Sequence, residues 1–366
     1  MRGENMGSTL KSRRALAAIL IVIVAISLTG LSTYAVINNQ KFTQQSYLLS
    51  IVLFQMGQPR IVSCAPNIDE ILCGLGLEEY IVGCVDHDPY GMGYSMQDYY
   101  LPRIVELILA GKIKNEINWW LPSVESIVSL NPTIVLLDSG NPNQVSLYSS
   151  LVSQGIYSFL VPQGTSISQI EVSILQVGSL FKRSSVAQAL VDKMETKINT
   201  IQGNVSSQPV LNVLVCVWID FSENQVYTCG NNTFLSEIVQ KAGGLNVFYD
   251  DTRPWPIVTL AEAAAKNPDK IIILDHYADL NPTTTYINIK NDPNLGNTPA
   301  ALNDEIYFVQ GQAENLFSRP GPRVAEGVEL LANILFPVLF NATFTGPPYI
   351  LNTGNYKGYL TSFILE

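Results

Sequence analysis

Apolar positions along this chain follow three patterns in turn: one unbroken run, then short apolar stretches alternating with helical spacing, then a polar end. The unbroken run is 15–34, ALAAILIVIVAISLTGLSTY, which carries no charge. At about 1.5 Å per residue it reaches about 30 Å as a helix, the thickness of bilayer hydrocarbon. Arg2, Lys11, Arg13 and Arg14 precede it, so the positive charge keeps 1–14 in the cytoplasm and makes 15–37 a transmembrane anchor. A cleaved signal peptide is the alternative. The length of the run and the lack of a small-x-small site favour the anchor. No cysteine precedes Cys64, which excludes a lipid-modified cysteine just after the run. Residues 38–57 then read as a spacer, and the rest of the chain lies beyond the outer face of the cytoplasmic membrane.

From residue 58 the pattern is that of an α/β protein. The stretch 60–64 predicts a buried strand running into a helix that Asn67 caps and Glu70 closes as a capping box. Ile68, Ile71, Leu72 and Leu75 follow at helical spacing, and Gly76 ends the helix. A second strand, 80–85, leads into the loop 86–90; short apolar strands joined by a helix predict a parallel sheet covered by helices. The chain then repeats itself: 124–138, VESIVSLNPTIVLLD, matches 260–275, LAEAAAKNPDKIIILD. In both, a short helix stops at Asn-Pro and a buried strand ends in aspartate. The prediction is two Rossmann-like lobes with mostly parallel sheets, 58–165 and 205–340. One long inter-lobe helix joins them over 166–204, broken near Gly178 and acting as a stiff strut. The second lobe is expected to start with a strand over 210–219 and to end with a helix over 320–335. Residues 341–366 read as a loosely attached tail.

Composition narrows the function. Hydrophobic residues make up 47% of the chain and charged ones 14%, which suits a well-buried body. A net charge of −10 repels phosphate backbones and argues against nucleic acid. His87 and His276 are the only histidines, too few for a multi-histidine metal site, and no metal-holding set is nominated. The five cysteines show no CxxC; Cys216 and Cys229 could pair outside the cell, whereas Cys64, Cys73 and Cys84 read as small buried residues. Sequons at Asn204, Asn231 and Asn341 fit an external location. No phosphate-binding loop, nucleophile elbow or zinc-protease signature occurs, and no catalytic residue is nominated.

Ligands of open α/β sheets collect beyond the carboxyl ends of the strands. That rule gathers 86–90, 138–143, 255–256, 275–277 and 317–319. The candidate ligand-binding residues are Asp86, His87, Tyr90, Trp119, Trp120, Asn141, Trp255 and Arg319. Indoles, a phenol and a few charges suit a large, flat, partly apolar ligand.

The segments RIVSCAPNIDEILCGLGLEEYIVGCVDHDPY (60–90), LPSVESIVSLNPTIVLLDSGNP (121–142), GGLNVFYDDTRPWPIVTLAEAAAKNPDKIIILD (243–275) and SRPGPRVAEGVELLANILFP (318–337), in this order, carry a resemblance. Together they resemble the class III solute-binding proteins that serve cobalamin, iron-siderophore and haem ABC importers. The resemblance implies two lobes with the ligand held between them, no cofactor of its own, no enzymatic activity, and a monomer working with a permease dimer and its ATPase. It is closest in look to the vitamin B12 binders. In these a tryptophan six residues before the docking glutamate touches the ligand, as Trp119 stands before Glu125. Trp255 of the Trp-Pro pair and Arg319 match further contacts. The implied cargo is cobalamin or a related corrinoid, with a ferric siderophore or haem as alternatives, and His87 a possible ligand of the cargo's metal. An extracellular enzyme using Asp86, Asp88 or His87, or a surface adhesion protein, are alternatives of another class. The resemblance also implies transporter docking through Glu125 and Glu262. Glu262 departs by one residue and stands in Thr259-Leu260-Ala261-Glu262, itself a capping box. His87 departs as well, standing where relatives often carry an aromatic, and 91–118 is longer than usual.

Overall fold

A computed structural model describes residues 58–91, 93–276 and 280–365. The expected anchor and spacer lie outside these residues. Among the described residues no helix is long and apolar enough to cross a membrane.

The first lobe runs β1 (Ile61–Ser63), α1 (Pro66–Gly74), β2 (Ile81–Val85), α2 (Met96–Tyr99), α3 (Pro102–Leu109), β3 (Lys114–Ile117), α4 (Val124–Ser129), β4 (Ile134–Asp138), α5 (Pro142–Ser153) and β5 (Ser158–Val161). Its five strands pair in parallel in the order β3-β2-β1-β4-β5. Helices α6 (Ile167–Leu180) and α7 (Ser184–Val205) follow. The second lobe runs β6 (Leu211–Cys216), β7 (Trp218–Asp220), β8 (Gln225–Tyr227), α8 (Phe234–Lys241), β9 (Gly244–Asn246), β10 (Ile257–Thr259), α9 (Leu260–Ala265), β11 (Lys270–Asp275), α10 (Pro282–Asn291), α11 (Pro299–Leu302), β12 (Ile306–Gln310), α12 (Asn315–Ser318), α13 (Val324–Leu335) and β13 (Tyr349–Leu351). Its parallel sheet has the order β13-β12-β11-β6-β9, and a small antiparallel sheet, β10-β8-β7, stands beside it. Strands such as IVLLD and KIIILD are continuous apolar runs because helices cover both faces of a parallel sheet.

The internal repeat has a common physical cause. Asn131 and Asn267 close α4 and α9 in the left-handed conformation, φ 49° and 53°, which asparagine tolerates better than most residues. Proline follows each and prevents the helix from continuing.

Several expectations are corrected. Helix α1 starts at Pro66, whose fixed φ suits the first turn, and Ala65 precedes it with no side-chain cap. Asn67 and Glu70 are therefore not a capping box but buried residues inside the helix. The linker is two helices, broken at 181–183 and not at Gly178; the absent side chain of Gly178 lets α7 approach, since a Cβ there would lie 2.4 Å from Ala187. Helix α7 spans the lobes. Its 22 residues reach about 33 Å, with Leu190 against Gly74 of the first lobe and Val205 against Gly243 of the second. The stretch 210–219 is two strands, β6 and β7, in different sheets. The last helix of the second lobe begins at Val324. Cys216 and Cys229 do not pair: both are free and fully buried, and burial pushes their thiols up to about 12. The tail is not loose either, for β13 extends the second sheet and Tyr356 and Ile364 are buried.

Candidate ligand-binding cleft

Both parallel sheets reverse strand order next to their central strands, β1/β4 in one lobe and β6/β11 in the other. Crevices form at the carboxyl ends of such pairs. A cavity of about 240 Å³ lies there, lined from the first lobe by residues following β1, β2, β3 and β4, and from the second by His276 and 318–320. Its volume is below the roughly 300 Å³ at which drug-sized pockets begin.

The mouth is aromatic. Trp119 and Trp120 are 39% and 53% exposed, their rings 5.8 Å apart. Amide side chains at the start of α5 hold their backbone: Asn141 Nδ2 and Gln144 Nε2 donate to the Trp119 carbonyl at 2.7 and 2.8 Å, and Asn143 Nδ2 to that of Trp120 at 2.9 Å. With the carbonyls tied down, the indoles turn outward. Asn141, expected at the ligand, is buried: it caps α5 and supports the tryptophans from behind. Tyr90 is highly exposed on the rim.

Asp86 and His87 line the cavity where β2 ends. Asp86 accepts from the Asp88 backbone at 3.0 Å, and its Oδ1 is 3.6 Å from His87 Nδ1. Asn115 Nδ2 lies 3.2 Å from the same Nδ1, so a carboxylate and an amide both face this side of the imidazole. His276, unexpected as a site residue, lines the opposite side. Burial opposes its charge, but Glu314, bonded to Nδ1 at 3.0 Å, outweighs that and raises its pKa. Asp138 also lines the cavity, its pKa raised by burial.

Arg319 forms a wall, but its charge faces inward. It is 4% exposed, donates to the Tyr99 carbonyl at 2.6 Å, stands 3.4 Å from Glu70, and lies 4.6 Å over the Tyr99 ring. Trp255 does not line this cavity; it packs half-buried beside Tyr227, ring centres 6.4 Å apart. The carboxyl-end rule reached the segments of Asp138 and His276 without singling them out. Tyr99, inside the long 91–118 stretch, carries no periodic or motif signal. Among the described residues no cluster of three or more metal-binding side chains occurs.

Glu125 and Glu262 lie exposed in the first turns of α4 and α9. Glu262 closes its capping box, accepting from the Thr259 backbone at 2.7 Å and its hydroxyl at 2.8 Å, and these bonds lower its pKa. Among the described residues no hydrogen bond of the Glu125 side chain accompanies the Ser123 cap of α4.

The family described as "Periplasmic binding protein" matches residues 61–313. The chain belongs to this family. Among curated relatives, it is 25% identical over 344 residues to an uncharacterized ABC transporter substrate-binding lipoprotein, YvrC, of Bacillus subtilis, covering 90% of this chain and 99% of that one. It is 24% identical to the vitamin B12-binding protein of Yersinia pestis over 58% of this chain and 69% of the relative. The fold is shared with a periplasmic haem-binding protein, RhuT, of Roseiflexus sp. RS-1 (TM-score 0.61, 22% identity, 77% of this chain and 100% of that one). It is also shared with the periplasmic vitamin B12-binding protein BtuF of Vibrio cholerae (TM-score 0.56, 19% identity, 77% and 97%). This periplasmic binding protein therefore has the family's α/β fold and belongs among solute binders.

Proposed function

We propose that this periplasmic binding protein is the substrate-binding component of an ABC importer, anchored through 15–37 on the outer face of the cytoplasmic membrane, and that its cargo is a corrinoid. The carrying observation is the chemistry of the cleft. Exposed indoles of Trp119 and Trp120 line the same cavity as Asp86 and Asp138, and among the described lining residues there is no lysine, while the arginine is engaged with Glu70 and Tyr99. A corrin presents apolar faces to indoles and amide N–H groups to carboxylates. Strongly anionic chelates find little countercharge there. The chain hands its cargo, as a monomer, to a permease dimer driven by an ATPase, docking through Glu125 and Glu262. A second candidate, an iron porphyrin, draws on His276, whose bond to Glu314 resembles the carboxylate support of metal-ligating imidazoles.

Titration of the full chain in detergent, followed by tryptophan fluorescence, separates these. Quenching by cobalamin at micromolar concentration, with weak responses to haemin and to a neutral ferric hydroxamate, supports the corrinoid. Quenching by haemin alone selects the porphyrin. Silence toward all three rejects both.

A further inference from the structure

The C-terminal segment crosses the seam between the lobes. After β13 joins β12 in the second lobe, Thr353 hydrogen-bonds Asp98 of α2 in the first, and its Oγ1 also accepts from Gln312 N at 2.9 Å. Gly311 makes this crossing possible, because a Cβ there would lie 2.5 Å from Thr353 Oγ1 and 2.8 Å from Asp98 Oδ1. Tyr356 then takes a hydrogen bond from Arg323 at 3.0 Å, the same guanidinium that reaches Glu70 of the first lobe at 3.4 Å.

The last residues are held by buried charges. Glu329 of α13 accepts from Thr361 N and Oγ1 at 2.9 and 2.6 Å, and Glu326 accepts from Ile364 N at 2.7 Å. On the inter-lobe helix α7, Lys197 pairs with Glu329 and donates to the Ser362 carbonyl at 2.8 Å, and Lys193 reaches that of Ile364 at 3.2 Å. Leu365 ends against Gly74 of α1, back in the first lobe. The segment thus touches the second sheet, the inter-lobe helix and two elements of the first lobe.

We propose that 353–365 is a strap that fixes the separation of the two lobes, so that the cleft keeps one width in solution. A bare polar tail would leave Glu326 and Glu329 buried without these donors, a costly arrangement that the strap resolves only when both lobes and α7 are in register. The strap also ties to the stretch that sets the cleft. Gln312 donates to the Tyr100 carbonyl at 2.7 Å and Asn315 to that of Asp98 at 2.8 Å, next to Tyr99 of the cavity wall.

The test is a pulsed-EPR distance measurement on the full chain with Cys73→Ser and spin labels at Ser150→Cys on α5 and Asn288→Cys on α10, both exposed. The parent should give one narrow distance distribution. A stop after Asn352 should broaden it or add a second distance several ångströms away. If that chain does not fold, T353V/T361V decides, since it removes side-chain bonds at two points and leaves the chain in place. A lower melting temperature with a superimposable distribution in the folded variant would overturn the proposal, because it would make the segment structural ballast with no hold on the gap.

Discussion

Asp69 and Glu70 are consecutive residues of α1, both buried, with different partners. Glu70 faces Arg319 and Arg323 at 3.4 Å each. Asp69 is fully buried, and that burial pushes its pKa up to about 7, only partly offset by a hydrogen bond with Ser63 and the nearby Arg319 charge. Between about pH 4, where an unfolded aspartate titrates, and about 7 the folded protein keeps a proton that the unfolded chain releases. Stability from this residue is therefore complete below that window and falls as pH rises through it, by roughly 4 kcal/mol at most. Urea unfolding of Asp69→Asn should show a gain at pH 8 that vanishes near pH 4. Equal gains at both values would contradict this. The exposed indoles behave differently: Trp119→Ala should weaken cargo binding about tenfold, seen by calorimetry, with an unchanged melting temperature. Arg319 shows the limit of reading residues from sequence. It stood where a helix start was expected, but the helix begins at Val324, and its carboxylate partner is 249 residues away. Local pattern carries no record of such a pairing.

At the scale of elements, α4 and α9 are the repeat made visible, yet their glutamates are held differently. Glu262→Ala removes a capping box and should lower the melting temperature on the order of 2 °C, whereas Glu125→Ala should leave it unchanged. In cells, Glu125→Ala should cut uptake while purified protein binds cargo normally; loss of both would make Glu125 structural. The large sheets were legible because strands covered on both faces are continuous apolar runs, and because Asn-Pro marks where helices stop. The β10-β8-β7 sheet was not, since strands of three residues are too short to show alternation. Likewise β13, Tyr349–Leu351, is a short apolar patch in polar surroundings, recognisable as a strand only because β12 is there to receive it.

For the whole molecule, the sequence indicated two lobes and a cleft but not how firmly they are joined. That depends on contacts such as Gln312 to Tyr100 and Lys197 to Ser362, each between residues more than a hundred positions apart. One element has a consequence for solubility. Strand β13 is the outermost strand of its sheet, and Pro347 and Pro348, just before it, supply no amide hydrogens. It shields the backbone of Tyr307, Phe308 and Val309, which pairs with nothing else on that side. A chain stopped after Phe340 would lack β13 and bare a hydrophobic edge ready to recruit a strand from another molecule. Light scattering should then show the shortened protein associating as concentration rises while the full chain remains monodisperse.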